Sequence, residues 1–408
     1  MKIQNLIEYI YFILIVSIFL KIKIYPFVMI AFILCVIVKS IKKYNLTREN
    51  IYLHLFLILV IINFFIFTNQ NRNMVFFIKL LINISFLIAF EINIKYFIVK
   101  KNIKKILLII KFLIIMTFLQ IVLLYYLKEI NIFQFLKVGS SNDAYIINLN
   151  EIIFLFGNSN KNIWATKIFL LEIILLVYLY KNNKKSYLFK ILIFLNCILL
   201  ISRTCYLAYI LYYCSEIFNK VLKKFKNNKK ILILILLFLS LFFIPIINLV
   251  AEKLLRLNFT NIEELLTKKG DGGGTRLINW LIFFRYFNEI NIFKGIGLGN
   301  TQSFLVKYNG FPDNNMHNFI FGIFLEQGII IGTIYLLFHY SFIKKVILNF
   351  RFESLMILLP FYLIISLQYL GYDNDIVVYI SLVHILLKYF LESKKINKKN
   401  IYKKIIRQ

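Results

Sequence analysis

Two arginines and one histidine stand where packing alone explains them poorly. Arg203 lies in the turn of a tight apolar pair, ILIFLNCILLISRTCYLAYILYYC. Arg276 follows a glycine run in GDGGGTRLINW, and His317 leads His317-Asn318 just ahead of a long apolar stretch. A guanidinium offers a planar fork of donors that fits phosphate or carboxylate oxygens. A histidine accepts a proton near neutral pH. An arginine at membrane depth costs about 2.5–3.5 kcal/mol on insertion scales, so it needs a partner or a role. The other reading of Arg203 is a cation snorkelling from a helix end to the interface.

These residues cluster around the stretch 270–328. Seven of the chain's 14 glycines (Gly270, Gly272, Gly273, Gly274, Gly295, Gly297 and Gly299) fall there within 30 residues, while the flanking sequence is apolar. The segment TRLINWLIFFRYFN predicts an amphipathic helix along the interface, with Thr275 as its cap and Trp280 and several phenylalanines on its apolar side. Arg276 then sits in the first turn beside GDGGG. Free backbone N–H groups, a helix start and a guanidinium together suit a phosphate; the same glycine run also reads as a flexible loop. Lys268, Lys269 and Arg285 add positive charge. Glu326, two residues before Gly328, is either a partner for a basic residue or a helix-entry residue. His54, His339 and His384 lie in or near apolar runs and read as structural.

The elements that must position these groups are membrane helices. The chain has 408 residues, of which 60% are hydrophobic, and a mean hydropathy of +0.77. A soluble domain of this size is not that apolar. The expected fold is an all-α polytopic membrane protein with about 12 transmembrane helices, near 5–20, 24–39, 51–67, 74–91, 106–127, 163–180, 189–202, 204–218, 231–250, 327–343, 353–370 and 376–391. Loops near 40–49, 92–105, 181–190, 219–230 and 344–352, with the tail 392–408, are rich in Lys and Arg and are therefore assigned to the cytoplasm, as are both termini. That alternation accounts for the net charge of +30, with anionic lipid headgroups contributing, and leaves no call for nucleic acid. Residues 1–190 form N-terminal helices, 191–345 carry the chemistry with a large external loop at 251–326, and 346–408 form C-terminal helices and a basic tail. A second external segment, 128–162, holds the polar patch VGSSNDAYIINLN. Lys2 and the apolar run after it read as a retained first span, since no small-residue cleavage site follows.

Other polar groups have blander readings. Cys35, Cys197, Cys205 and Cys214 sit in apolar runs and read as small core residues. Asp373-x-Asp375 matches a short metal-binding motif of nucleotide-sugar enzymes, but the topology places it outside, in a short turn where nucleotide sugars are absent. Lys79, Lys111, Lys167 and Glu172 lie within spans, scattered, with no pair of broken helices to mark a transport path.

The ordered set Ser202-Arg203, Thr275-Arg276 with Trp280, FKGIGLGN (293–300), His317-Asn318 and Glu326-x-Gly328 resembles the O-antigen ligase/polymerase superfamily of bacterial membrane enzymes, specifically over about 190–345. The resemblance implies a C-type glycosyltransferase membrane fold in the bacterial inner membrane, with its active face external. It also implies metal-independent, inverting transfer of a glycan from undecaprenyl diphosphate, with no cofactor. The acceptor would be the lipid A core for a ligase or a second lipid-linked glycan for a polymerase. By position, Arg203 and Arg276 would bind the diphosphate, His317 would take the acceptor proton, and Asn318, Glu326 and Trp280 would support the site. Ligase is the first expectation and repeat-unit polymerase the alternative; a protein-directed oligosaccharyltransferase and a lipid-linked glycan flippase stand further back. Many relatives have proline shortly before the glycine-alternating run, where this chain has Asn291 and Lys294.

Overall fold

The structure, a computed structural model, describes residues 3–20, 22–40, 47–67, 73–94, 100–127, 161–184, 186–200, 202–224, 272–310, 312–313, 315–368 and 370–405. All regular structure among them is helical. In chain order the helices are α1 (Ile3–Phe19), α2 (Tyr25–Ser40), α3 (Arg48–Ile62, continued by a π-helical turn Asn63–Phe67), α4 (Met74–Asn93), α5 (Lys100–Leu127), α6 (Lys161–Lys181), α7 (Tyr187–Leu200) and α8 (Arg203–Lys224). They continue as α9 (Gly272–Arg285), α10 (Thr301–Lys307), α11 (Phe319–Phe350), α12 (Leu355–Leu367) and α13 (Asn374–Ile405).

Six described stretches are long and apolar enough to cross a membrane: Arg48–Phe65, Met74–Asn93, Asn102–Leu127, Asn162–Lys181, Phe319–Leu367 and Asn374–Ser393. Ile3–Phe19, Tyr25–Lys39 and Tyr187–Leu200 are apolar but shorter. The chain is therefore a multi-pass helical membrane protein. The expected span at 231–250, the polar patch at 138–150 and the loop portion 251–271, with Lys268 and Lys269, lie outside the described residues.

Helix starts follow local chemistry. The Thr47 hydroxyl accepts from the Asn50 N–H at 3.3 Å to cap α3, and the Asn73 side-chain oxygen accepts from the Phe76 N–H at 3.3 Å to cap α4. The Asn318 side chain accepts from the N–H groups of Ile320 and Phe321 at 3.0 and 3.2 Å. That cap starts α11 at Phe319, eight residues ahead of the span expected to begin at 327. At the other end α13 runs on through lysine-rich sequence to Ile405, beyond the expected boundary near 391.

The bundle packs around α6, which touches α5, α7, α8, α12 and α13. From Ala165 to Leu179 every α6 side chain is buried, and a helix apolar all round belongs in the interior. Around it α8 lies along α12, α2 along α4, and α11 along α3. The core holds Trp164, Tyr11, Phe32, Phe86, Phe90 and Tyr335. Outward faces carry Phe27, Leu34, Leu108, Leu119, Ile191 and Leu348, all exposed. Such a surface suits lipid rather than water.

Residues 272–318 pack differently. Ile278, Ile282, Phe283, Ile290, Phe304, Leu305 and Met316 form a second, smaller core closed by Leu325 of α11. The expected amphipathic helix is real as α9, but its apolar side buries into this local core. Thr275 lies inside α9, whose first residues are Gly272, Gly273 and Gly274, so Thr275 is not the cap.

Candidate functional site

The glycine-alternating loop is built to meet a break in α11. Gly328 has φ 78° and ψ 170°, outside helical geometry. The groups freed there pair with the loop: Ile296 N donates to Leu325 O at 2.9 Å, Gly297 N to Glu326 O at 3.0 Å, and Ile329 N to Ile292 O at 2.8 Å. Buried backbone groups must find such partners, above all at membrane depth. The side chain of Glu326, fully buried, secures the same junction. One oxygen accepts from Gly299 N at 3.1 Å and Thr301 Oγ1 at 3.0 Å, and the other from Tyr372 OH at 2.9 Å. Glu326 is thus a clamp on the loop. Asn63 adds a third element, donating to Lys294 O at 3.1 Å and Gln327 Oε1 at 3.2 Å. The Asn291 side chain accepts from Phe293 N at 2.9 Å and Lys294 N at 3.1 Å, turning the chain by itself.

His317 sits in a tight turn immediately before α11, with φ 49°. A positive φ is costly for any residue but glycine and persists only where neighbours enforce it. Here they do. The His317 N–H donates to Asn315 Oδ1, Asn315 N donates to Asp313 Oδ1 at 3.3 Å, and Asp313 Oδ2 lies 2.6 Å from His317 Nε2. Trp280 pins the turn from α9, its indole N–H donating to Met316 O at 2.7 Å, with the ring edge-on to Phe321 at 5.8 Å. Trp280 and Asn318 therefore frame His317.

The two arginines reach this end of the bundle by separate routes. Arg203 is the first residue of α8 and is exposed. The next residue, Thr204, accepts through its hydroxyl from Gln368 Nε2 at 3.1 Å. Gln368 opens the turn that contains Gly371, where a Cβ would lie 2.9 Å from Phe319 Cβ, two residues after His317. Arg276 is half-buried on α9, one turn before Trp280 and so on roughly the same face. Arg203, Arg276 and His317 are thus tied, through immediate neighbours, to one end of the molecule. What such an end can do is hold an anion with guanidinium groups and take a proton with imidazole.

Lys79 and Lys167, scattered in sequence, find the Asp373-x-Asp375 turn. Lys79 pairs with Asp373, and Lys167 Nζ lies 3.9 Å from Asp375 Oδ2. The aspartates thus meet lysines instead of forming a cluster with metal-ligand geometry among the described residues. Lys111 lies over the Phe189 ring at 4.8 Å. Toward the other end, Glu49, Glu91 and His384 bring ligand-type atoms within 4.8 Å of one another. Lys345 Nζ already stands there, 2.7 Å from Glu49 Oε2 and 3.4 Å from Glu91 Oε2, supplying the cation. Sequence reading missed Asp313, Tyr372 and Lys79. For Lys79 a signal existed, since a lysine inside a span calls for an acid at a neighbouring span's entry.

Comparison of the chain with protein-family models and with curated proteins finds no match.

Proposed function

We propose that the chain is a membrane glycosyltransferase that takes a glycan from an undecaprenyl-diphosphate carrier, acting as an O-antigen ligase on the lipid A core. The observation that carries this reading is the linkage of Arg203, Arg276 and His317 to one end of the helical bundle, beside a glycine loop clamped by Glu326. In this reading the protein has about twelve spans in the bacterial inner membrane. Both termini are cytoplasmic, and the segment 251–326 lies on the external face.

The chemistry follows from the groups. As the acceptor hydroxyl oxygen bonds to the anomeric carbon, the bond from that carbon to the diphosphate oxygen breaks. The diphosphate leaves with the electron pair, and the two guanidiniums stabilise the charge it gains. His317 takes the hydroxyl proton. One displacement inverts the anomeric centre, and no cofactor is called for.

The test is the surface-glycan gel profile of a deletion strain, complemented with wild type or with membrane-integrated Arg203→Ala, Arg276→Ala or His317→Ala. Polymer accumulating on the carrier with bare cores supports the ligase. Cores bearing a single repeat unit would move the assignment to a repeat-unit polymerase, which the same residues would serve. An unchanged profile, or near-normal transfer by His317→Ala, removes the reading.

A further inference from the structure

We propose that Asp313 is the positioning residue of His317, fixing the imidazole so that Nδ1 is the nitrogen that takes the acceptor's proton; this rests on the glycosyltransferase reading of the site. Asp313 lies four residues before His317, and both of its oxygens are engaged. Oδ1 accepts from Asn315 N at 3.3 Å, and Oδ2 lies 2.6 Å from His317 Nε2. A carboxylate only accepts hydrogen bonds, so Nε2 must carry the proton and donate. The lone pair of the neutral ring is then on Nδ1.

Nδ1 is buried and, among the described residues, has no hydrogen-bond partner. A shielded acceptor without a donor is destabilising, so its retention in a turn held at positive φ wants a reason. For an acceptor sugar hydroxyl to supply the missing donor, the side chains that shield Nδ1 must part as the acceptor binds. When that hydroxyl attacks the anomeric carbon, its proton passes to Nδ1, the carrier diphosphate departs with the bonding pair, and the imidazolium rests against the Asp313 carboxylate through Nε2–H. The turn makes this arrangement rigid. Trp280 holds Met316 O from one side, Asn315 holds the His317 N–H, and the α11 cap at Asn318 fixes the next residue. The ring therefore keeps its orientation.

The experiment uses the full chain, labelled with 15N-histidine, in lipid nanodiscs at pH 8.5, two units above the ordinary imidazole value of about 6.5. Signals absent from His317→Gln identify the ring. The expected result is one tautomer, with a downfield Nε2–H proton and a pyridine-type Nδ1, and loss of that downfield proton in Asp313→Asn. In glycan transfer, Asp313→Asn should lower kcat about 10²-fold with KM little changed, and Asp313→Glu should recover part of it. A wild-type proton on Nδ1, an Nε2–H signal indifferent to Asp313→Asn, or Asp313→Asn turnover within twofold of wild type would overturn the proposal. Wild-type protein with the expected signals and no glycan transfer would overturn the function proposed above while leaving the Asp313–His317 pairing in place.

Discussion

Gly295 and Gly328 occupy each other's side-chain space: a Cβ built on Gly295 would lie 2.6 Å from the Gly328 nitrogen, and one on Gly328 would lie 3.0 Å from the Gly295 nitrogen. Both have positive φ, 62° and 78°. The phosphate reading belongs to the GDGGG run; the alternating glycines of 295–299 have a separate job. They let the loop backbone enter the break in α11 closely enough to hydrogen-bond with it.

Gly328→Ala should destabilise the protein by about 3 kcal/mol or more, combining a backbone region closed to alanine with a clash against Ile292 O. Thermal unfolding of the purified protein in detergent or nanodiscs measures this. A midpoint equal to wild type would mean that the loop and the helix break do not meet as described.

Glu326→Gln should cost about 1–3 kcal/mol, because its amide nitrogen cannot accept from the donors now served by a carboxylate oxygen. Tyr372→Phe removes one of the three donors and should cost less than Glu326→Gln. Under the function proposed above, the loosened glycine loop of Glu326→Gln should also slow glycan transfer, by about tenfold. Equal stability of Glu326→Gln and wild type would deny Glu326 its clamping role.

The Lys79–Asp373 pair should be visible in acid. Burial works against a charged Asp373 carboxyl, but the Lys79 ammonium, the Leu370 N–H at 3.1 Å and Lys167 outweigh it and hold its pKa below the ordinary 3.8. A carboxyl depressed in the folded state binds its proton more readily when unfolded. Its stabilisation is therefore complete above about pH 4 and is lost as pH falls through the lower folded value. Asp373→Asn should lower stability at pH 7 by about 1–2 kcal/mol, a modest amount because a third of the Lys79 side chain is exposed. It should also flatten the acid limb of the stability curve. A wild-type acid limb in Asp373→Asn would assign that limb to other carboxyls.

Sequence alone determined the membrane class and most of the described helices, though not α10 or the start of α11. Runs of apolar residues between basic loops mark α1 to α8 and α11 to α13 because hydropathy is a local property, and caps such as Asn73 act over a single turn. It also singled out Arg203, Arg276 and His317, because a charge among apolar residues is costly wherever the chain folds. Tertiary structure decided what those neighbourhoods are made of. Lys79 and Asp373 are 294 residues apart, and Asn63 and Lys294 are 231 apart. Such partners are chosen by which helices pack side by side, and no period in the sequence encodes that. The same holds for Glu326, whose three donors come from the loop and from the turn before α13, and for Asp313, whose spacing to His317 gains meaning only from the turn that brings Oδ2 to Nε2. Glycine patterning announced a close approach; only the fold showed that the partner is the break at Gly328.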